Sequence, residues 1–96
     1  MIIDFMFEWD EGKRLANLAK HDFNFADVGP AFIDPFRILS PVKGRSFSED
    51  RWVVIGGIDD QVMHIVFTLR DKRIRLISAR RAHAKERILY ETREYR

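Results

Sequence analysis

Arginines hold the positions in this chain that most suggest chemistry. Arg70 directly follows the mostly apolar residues 66–69, and Arg80 and Arg81 follow a second such stretch at residues 74–79. A guanidinium group stays protonated at cellular pH because its pKa lies above about 12. Its planar fork of N–H donors fits two phosphate oxygens at once. The spacing therefore predicts a cationic cluster for a polyanionic ligand, with RNA as the first candidate.

Metal-free cleavage of RNA is a reaction that such a cluster could support. The 2′-hydroxyl attacks the adjacent phosphate, while the protein aligns the attack, stabilises the added negative charge and moves protons. Arginine meets the second need but is a poor base, so another side chain must carry the proton. The candidates for catalysis are Arg51, Arg70, Arg80, Arg81, His21 and His64, and the candidates for RNA binding are Lys13, Lys20 and Arg75.

Several of these residues also have a plain structural explanation. Arg51 could form an ion pair across the turn at Glu49 and Asp50, and His64 could be a half-buried sheet histidine. Lys20 and His21 lie near the predicted end of a helix, where basic side chains commonly interact with the last carbonyl groups. The residue types alone leave these alternatives open.

Charge is unevenly distributed along the 96 residues. Residues 1–34 carry three Lys or Arg and seven Asp or Glu, residues 35–69 carry four of each, and residues 70–96 carry ten and four. The formal net charge of +2 therefore conceals a strongly basic C-terminal quarter. A polyanion-binding face needs such a concentration of cations, although a solvated basic helix would show it too.

Several classes of function lack their sequence signals. The absence of cysteine excludes disulfides and thiolate metal sites. His21, His64 and His83 lack metal-ligand spacing, and no glycine-rich loop precedes a helix, so we predict neither a metal nor a cofactor. Asp4 and Glu8 interrupt the apolar opening segment, which is too short for a signal sequence or membrane span. We expect a cytoplasmic protein with no membrane contact.

The N-terminal half reads as a short strand followed by helices. A strand should end at Trp9, and Asp10 is a plausible N-cap for a helix over residues 11–20. A second, short helix is predicted around residues 25–33, with a break or a start at Gly29-Pro30. The remainder up to Asp50 reads as a loop with a short strand at residues 36–39.

The C-terminal half reads as a meander and a closing helix. Strands are predicted at residues 51–55, 62–69 and 73–78, with turns at Asp59-Asp60 and Asp71-Lys72 and with Gly56-Gly57 between strands. A final helix over residues 80–94 would place Arg80 and Arg81 at its N-terminus, where cations oppose the helix dipole. The prediction is a single α+β domain, residues 1–96, with N-terminal helices, an antiparallel sheet and a C-terminal helix, the helices covering one face.

With these residues assembled, the chain resembles the BrnT family of type II toxins. The N-terminal part of the resemblance comprises Phe7-Glu8-Trp9-Asp10, Lys13, Asn17 and Lys20-His21. The central part comprises Glu49-Asp50-Arg51-Trp52, Ile55-Gly56 and Val66-Phe67-Thr68-Leu69-Arg70. The C-terminal part comprises Arg75-Leu76-Ile77-Ser78-Ala79-Arg80-Arg81-Ala82, Glu86-Arg87 and Tyr90-Glu91. The chain departs from the pattern at Gly29-Pro30, where relatives resemble an uninterrupted short helix.

The resemblance implies a RelE-like fold and an endoribonuclease activity that halts translation. It also implies a ribbon-helix-helix antitoxin of the BrnA type, so that operator DNA is contacted only through this partner. The basic positions of the family carry over onto Arg51, Arg70, Arg80 and Arg81, and less directly onto Lys13, Lys20 and His21. The alternative is a non-catalytic RNA-binding or co-repressor module that acts through the antitoxin.

Overall fold

A computed structural model describes residues 6–42 and 50–92, and within these ranges the chain forms one five-stranded sheet, three α-helices and a 3-10 turn. In chain order the elements are β1 (Phe7–Trp9), α1 (Glu11–His21), the 3-10 turn (Phe25–Asp27), α2 (Gly29–Ile33), β2 (Ile38–Val42), β3 (Arg51–Ile58), β4 (Gln61–Arg70), β5 (Arg73–Arg81) and α3 (Ala84–Glu91). The strands lie in the order β1-β5-β4-β3-β2. The predicted α+β class is confirmed.

The position of β1 corrects the predicted order of helices followed by an antiparallel sheet. β1 precedes the helices and pairs in parallel with β5, whereas β2 to β5 pair antiparallel, so the sheet is mixed. The ring of Phe7 packs against Phe32 with centroids 5.1 Å apart, and that of Trp9 packs against Phe25 at 6.3 Å. Packing of these two aromatic rings against the core holds a three-residue strand at the sheet edge.

The helices of the N-terminal half follow the local signals. α1 begins after Asp10, whose carboxylate accepts a hydrogen bond from the backbone N–H of Lys13 at 3.0 Å. Pro30 lies in the first turn of α2, so the predicted start at this position is confirmed. The strand predicted at residues 36–39 is β2, displaced towards the C-terminus.

Gly56 and Gly57 lie inside β3, which corrects their predicted position between strands. A Cβ atom on Gly56 would be 2.6 Å from the carbonyl oxygen of Ala31 in α2, so glycine is what allows this helix to approach the sheet so closely. The backbone N–H of Gly57 donates to the Asp34 carboxylate at 2.7 Å. Two glycines here therefore mark close packing of α2, not a turn.

Arg80 and Arg81 lie in β5, and not at the start of a helix as predicted. They pair with His64 and Met63 of β4, and α3 begins only at Ala84. The N-cap of α3 is His83, and the Glu86 side chain completes a capping box with it. The unfavourable contact of two arginines with a helix dipole therefore does not arise, and it lends no support to a functional role.

The two faces of the sheet differ in their cover and composition. Met63, Ile65 and Phe67 of β4 point towards α1, α2 and the 3-10 turn and form the core with Phe25 and other apolar residues. We call this the helix-covered face. Arg51, His64, Arg70, Arg75 and Arg80 point the other way, and we call that side the arginine face. α3 packs against the arginine face, which corrects the prediction that the helices cover a single face.

The side chain of Asn17 pairs with the edge of β5 at Ala79, beyond the part of β5 that pairs with β1. Its amide nitrogen donates to the carbonyl oxygen of Ala79 at 2.8 Å, and its amide oxygen accepts from the N–H of Ala79 at 3.0 Å. The same nitrogen donates to the carbonyl oxygen of Phe23 at 3.1 Å. One buried side chain thus replaces the backbone of a neighbouring strand.

None of the helices in the described ranges has the length and hydropathy that a membrane-spanning segment needs.

Candidate functional site

The structure divides the nine predicted site residues between two surfaces. Five lie on the arginine face: Arg51, His64, Arg70, Arg75 and Arg80. The other four lie along α1 and at the end of β5: Lys13, Lys20, His21 and Arg81. Arg80 and Arg81 point to opposite faces because successive side chains of a strand alternate. The sequence neighbours therefore cannot hold one phosphate together from the same side.

The arginine face is a track of cations, not a single pocket. His64 and Arg80 are cross-strand partners at one end, whereas Arg70 ends β4 at the other. Six residues of extended strand separate His64 from Arg70, which corresponds to about 20 Å. A site of this length would contact several successive phosphates of a nucleic acid strand.

The guanidinium group of Arg80 uses only some of its N–H donors in hydrogen bonds to other described residues. Its Nη1 and Nη2 atoms donate to the two carboxylate oxygens of Glu86 at 2.8 and 3.0 Å, and Nη1 also donates to the Arg81 carbonyl oxygen at 3.1 Å. A guanidinium group has five N–H donors. Within the described part of the chain, this leaves the Nε–H and one Nη2–H of Arg80 without an acceptor. These two donors form a second fork, which can bind a phosphate while Glu86 keeps the first.

His64 lies beside Arg80 and is held in the neutral state. Burial lowers the pKa of His64, and the nearby positive charge of Arg80 lowers it further, outweighing the opposite effect of Glu86. Its Nε2 atom is 3.5 Å from a carboxylate oxygen of Glu86. Its Nδ1 atom is buried without a hydrogen-bond partner in the described structure. Nε2 is therefore the nitrogen that a substrate could reach.

Glu86 is the residue that ties this end of the arginine face to α3. The hydrogen bonds from Arg80 lower the pKa of Glu86 to about 2, with a further contribution from the backbone N–H of His83. Glu86 is therefore ionised throughout the physiological range and fixes the orientation of Arg80. A carboxylate with so low a pKa cannot itself act as a general base near neutral pH.

Replacing Glu86 with glutamine should destabilise the fold in a pH-dependent way. The variant should lose about 1–3 kcal/mol of unfolding free energy at pH 7, because Arg80 loses its ionic partner. The pKa of Glu86 is lower in the folded state than its ordinary value of 4.5. Its contribution is therefore complete above about pH 4.5 and is lost as the pH falls towards 2.

Urea denaturation of Glu86→Gln and of Glu91→Gln, an exposed position on the same helix, measures this effect. Glu91→Gln should match the parent, and Glu86→Gln should show a weaker loss of stability in acid. Equal unfolding free energies for Glu86→Gln and the parent at pH 7 would mean that the ion pair does not hold α3.

The far end of the arginine face is more exposed. Arg75 contacts Glu8 of β1 at 3.1 Å and Arg73 contacts the same carboxylate at 3.6 Å, so one acidic group serves two arginines. Arg70 is exposed at the end of β4, and Arg51 is half-buried at the start of β3. Arg73, the cross-strand partner of Arg70, also lies on this face, so five arginines and two glutamates, Glu8 and Glu86, give it an excess of positive charge.

The second surface follows α1 and β5. Lys13, Lys20 and His21 line a cavity of about 220 Å³ beside Ile77 and Ser78. His21 also lines a larger cavity of about 340 Å³, together with Arg81. Asp22, Asp59 and Asp60 line that cavity as well, and their charges oppose the binding of a polyanion. The arginine face is therefore the better candidate for contact with RNA.

Sequence reasoning missed the two residues that fasten α3, Glu86 and Tyr90. The Tyr90 hydroxyl donates to the carboxylate of Asp34, and burial together with this hydrogen bond raises the pKa of Tyr90 to about 12. Burial alone would raise the pKa of Asp34, but hydrogen bonds from Tyr90 and from backbone N–H groups lower it. Glu86 stands three residues after His83, as in a capping box, but the usual Ser or Thr is missing from the N-cap position. The Tyr90–Asp34 contact spans 56 residues.

Across residues 6–42 and 50–92, no group of three or more His, Cys, Asp or Glu residues is arranged to hold a metal ion.

Comparison with protein families bears on the same region. The family model described as "Ribonuclease toxin, BrnT, of type II toxin-antitoxin system" matches residues 9–86. The chain belongs to the BrnT family. The match includes all nine predicted site residues and extends through Glu86. No curated protein matches the chain. Membership of the BrnT family implies a ribonuclease toxin whose substrate is RNA and whose partner is an antitoxin.

Proposed function

We propose that this BrnT protein is an endoribonuclease toxin that cleaves RNA without a metal ion and thereby inhibits translation. The observation that carries the proposal is the second fork of Arg80 beside the neutral imidazole of His64. The fork offers two aligned donors to a phosphate, and the imidazole offers a base that is unprotonated at neutral pH. Family membership supports the ribonuclease class.

The reaction follows from this pair of groups. The 2′-hydroxyl of a nucleotide loses its proton to Nε2 of His64 and attacks the adjacent phosphorus. The bond from phosphorus to the 5′-oxygen of the next nucleotide breaks, and water protonates that oxygen. The products are a 2′,3′-cyclic phosphate and a 5′-hydroxyl, and His64 releases its proton to solvent. Arg80 stabilises the negative charge that grows on the phosphate oxygens.

The other basic residues are assigned to binding. Arg51, Arg70 and Arg75 would contact phosphates that follow along the arginine face, since they lie up to about 20 Å from His64. Lys13, Lys20, His21 and Arg81 would contact RNA that leaves the end of the sheet on its other side. Contacts of this kind add affinity that weakens with salt, whereas loss of Arg80 or His64 affects the chemical step.

A ribbon-helix-helix antitoxin of the BrnA type is the proposed partner. An acidic segment of this antitoxin would cover the arginine face and exclude RNA, and the antitoxin would make the contacts with operator DNA. Interface mapping of the complex tests this role. Full solvent accessibility of Arg70 and Arg80 in the complex would rule out direct masking of charge.

Cleavage of a defined RNA by the purified protein tests the activity. We expect the same rate in EDTA and in magnesium, and growth arrest when the protein is expressed without its antitoxin. Cleavage that needs added metal would contradict the proposed chemistry.

A second candidate function is a non-catalytic RNA-binding or co-repressor module. The observation in its favour is that the side chain of His64 is only 15% exposed and its Nδ1 atom is buried. Soluble protein that binds RNA but leaves it intact, with normal growth of the expressing cells, would favour this reading.

A further inference from the structure

We propose that the antitoxin docks an acidic amphipathic helix into an apolar groove on the helix-covered face. The groove is a cavity of about 290 Å³ lined by Leu39, Trp52, Phe67, Leu69 and Ile74, with Arg37 among its lining residues. We call it the Leu39–Leu69 groove. It lies on the side of the sheet away from the arginine face. That the occupant is an antitoxin rests on the proposed function, whereas the presence of a docking groove does not.

The exposure of the lining residues indicates that no other described part of the chain fills the groove. Phe67, on the floor, is 4% exposed, whereas Leu39 and Leu69 at the mouth are 55% and 60% exposed. Contiguous large apolar side chains with this exposure are uncommon on a monomer and usually mark a binding site. A partner that covers both leucines would gain from burying them.

The spacing of the two leucines suits an α-helix. Leu39 is on β2 and Leu69 is on β4, and β3 lies between them with Trp52 as part of the floor. Because Leu39 pairs with Val54 and Val54 pairs with Ile65, Leu69 lies two strands across and four residues further along the sheet, which puts the two leucines about 16 Å apart. An α-helix with its side chains has a diameter of about 10–12 Å. A helix can therefore lie between the two leucines and place apolar residues at i, i+3 or i+4, and i+7 into the groove.

The charge around the groove selects an acidic helix. Leu69 is followed by the turn between β4 and β5, where Arg70 and Lys72 are exposed. Arg37 is also exposed, and its Nη1 atom donates to the backbone carbonyl oxygen of Asp34. Asp71 supplies one carboxylate to this turn. A helix with acidic residues flanking its apolar stripe would match these cations and would associate faster for that reason.

The position of the turn links docking to inhibition. Arg70 belongs to the arginine face, and Leu69, its neighbour in sequence, belongs to the groove. A chain anchored in the groove can pass around this turn and reach the arginines on the other side of the sheet. The apolar groove would thus supply the anchor, and the segment that follows would mask charge.

Binding of the purified product of the neighbouring reading frame tests the docking surface. Leu39→Asp and Leu69→Asp should each weaken binding roughly tenfold or more, because a carboxylate replaces a leucine at the centre of the contact. Leu15→Asp on α1 and Leu89→Asp on α3, which alter leucines that are 52% and 50% exposed, should bind like the parent. Lys72→Glu should slow association, and Lys85→Glu on α3 should not.

Hydrogen exchange and RNA cleavage distinguish failure of the docking proposal from failure of the proposed ribonuclease activity. In the parent complex, the backbone amides of residues 37–39 and 69–74 should gain protection, which tests the groove without any substitution. Leu69→Asp should cleave RNA at the parental rate and escape inhibition. If the parent cleaves no RNA but Leu69→Asp still loses binding, docking stands and the proposed activity fails.

Three results would overturn the docking proposal. The first is unchanged binding by Leu39→Asp and Leu69→Asp together with unprotected amides at the groove. The second is loss of binding by Leu89→Asp instead, which would place the partner on α3. The third is a dimer of this chain alone that Leu69→Asp converts to a monomer, which would make a second copy the occupant.

Discussion

Replacing Arg80 with alanine should slow RNA cleavage about a hundredfold or more, the usual cost of losing one donor to a transition-state oxyanion. The variant loses the free fork beside His64 and leaves Glu86 without its ionic partner. Arg80→Lys should also be impaired, because an ammonium group cannot hold Glu86 with one fork and a phosphate with another. The measurement is the single-turnover rate with one defined RNA.

Controls separate this effect from loss of charge or of folding. Arg87→Ala removes an exposed arginine of α3 and should cleave like the parent. Arg81→Ala removes the sequence neighbour on the other face and should cost less than Arg80→Ala. Melting temperatures identify variants that are simply unfolded. Parental rates for both Arg70→Ala and Arg80→Ala in folded protein would show that the arginine face is not the site.

Replacing His64 with glutamine should lower the rate about a hundredfold or more, the usual contribution of a general base. The amide can still contact Glu86 but cannot carry a proton. Because burial lowers the pKa of His64 below its ordinary 6.5, the parental rate should be level near neutral pH and should fall as the solution is acidified through that pKa. A pH–rate profile of parent and variant measures this dependence.

His21 provides the matched comparison for the proton carrier. It lies at the same end of the molecule but on the cavity shared with Arg81, on the other side of the sheet. A large loss for His21→Gln with none for His64→Gln would move the reaction to that cavity. If both variants cleave normally while Arg80→Ala fails, the arginine role stands and the base is another group.

The sequence predicted the elements well where local chemistry decides them. Asp10 is an N-cap, and Pro30 starts a helix, because each acts on its own backbone. The strand predicted at residues 62–69 is contained in β4, where Met63 and His64 point to opposite faces because a strand has a period of two. The prediction that Gly56 lies between strands was wrong, because glycine is needed there for the close packing of α2 on the sheet and not for a turn.

The candidate site was predictable in its residue types but not in its arrangement. Reading Arg80 and Arg81 as the start of a helix placed them together, whereas the strand sends them to opposite faces. That outcome depends on how far β5 extends along β4, which is a tertiary effect. The contact of Arg80 with Glu86 depends on where α3 packs. The pairing of β1 with β5 is likewise a contact between distant parts of the chain, which local sequence patterns do not indicate.

A single 2′-deoxy substitution in the substrate tests the central claim most directly. The protein should cleave an all-ribose RNA in EDTA and leave a 2′,3′-cyclic phosphate and a 5′-hydroxyl at the cut. The same RNA with a 2′-deoxynucleotide on the 5′ side of that bond should remain intact there, because the attacking hydroxyl is missing. Cleavage of the substituted bond at an unchanged rate, or products with a 5′-phosphate, would contradict the mechanism.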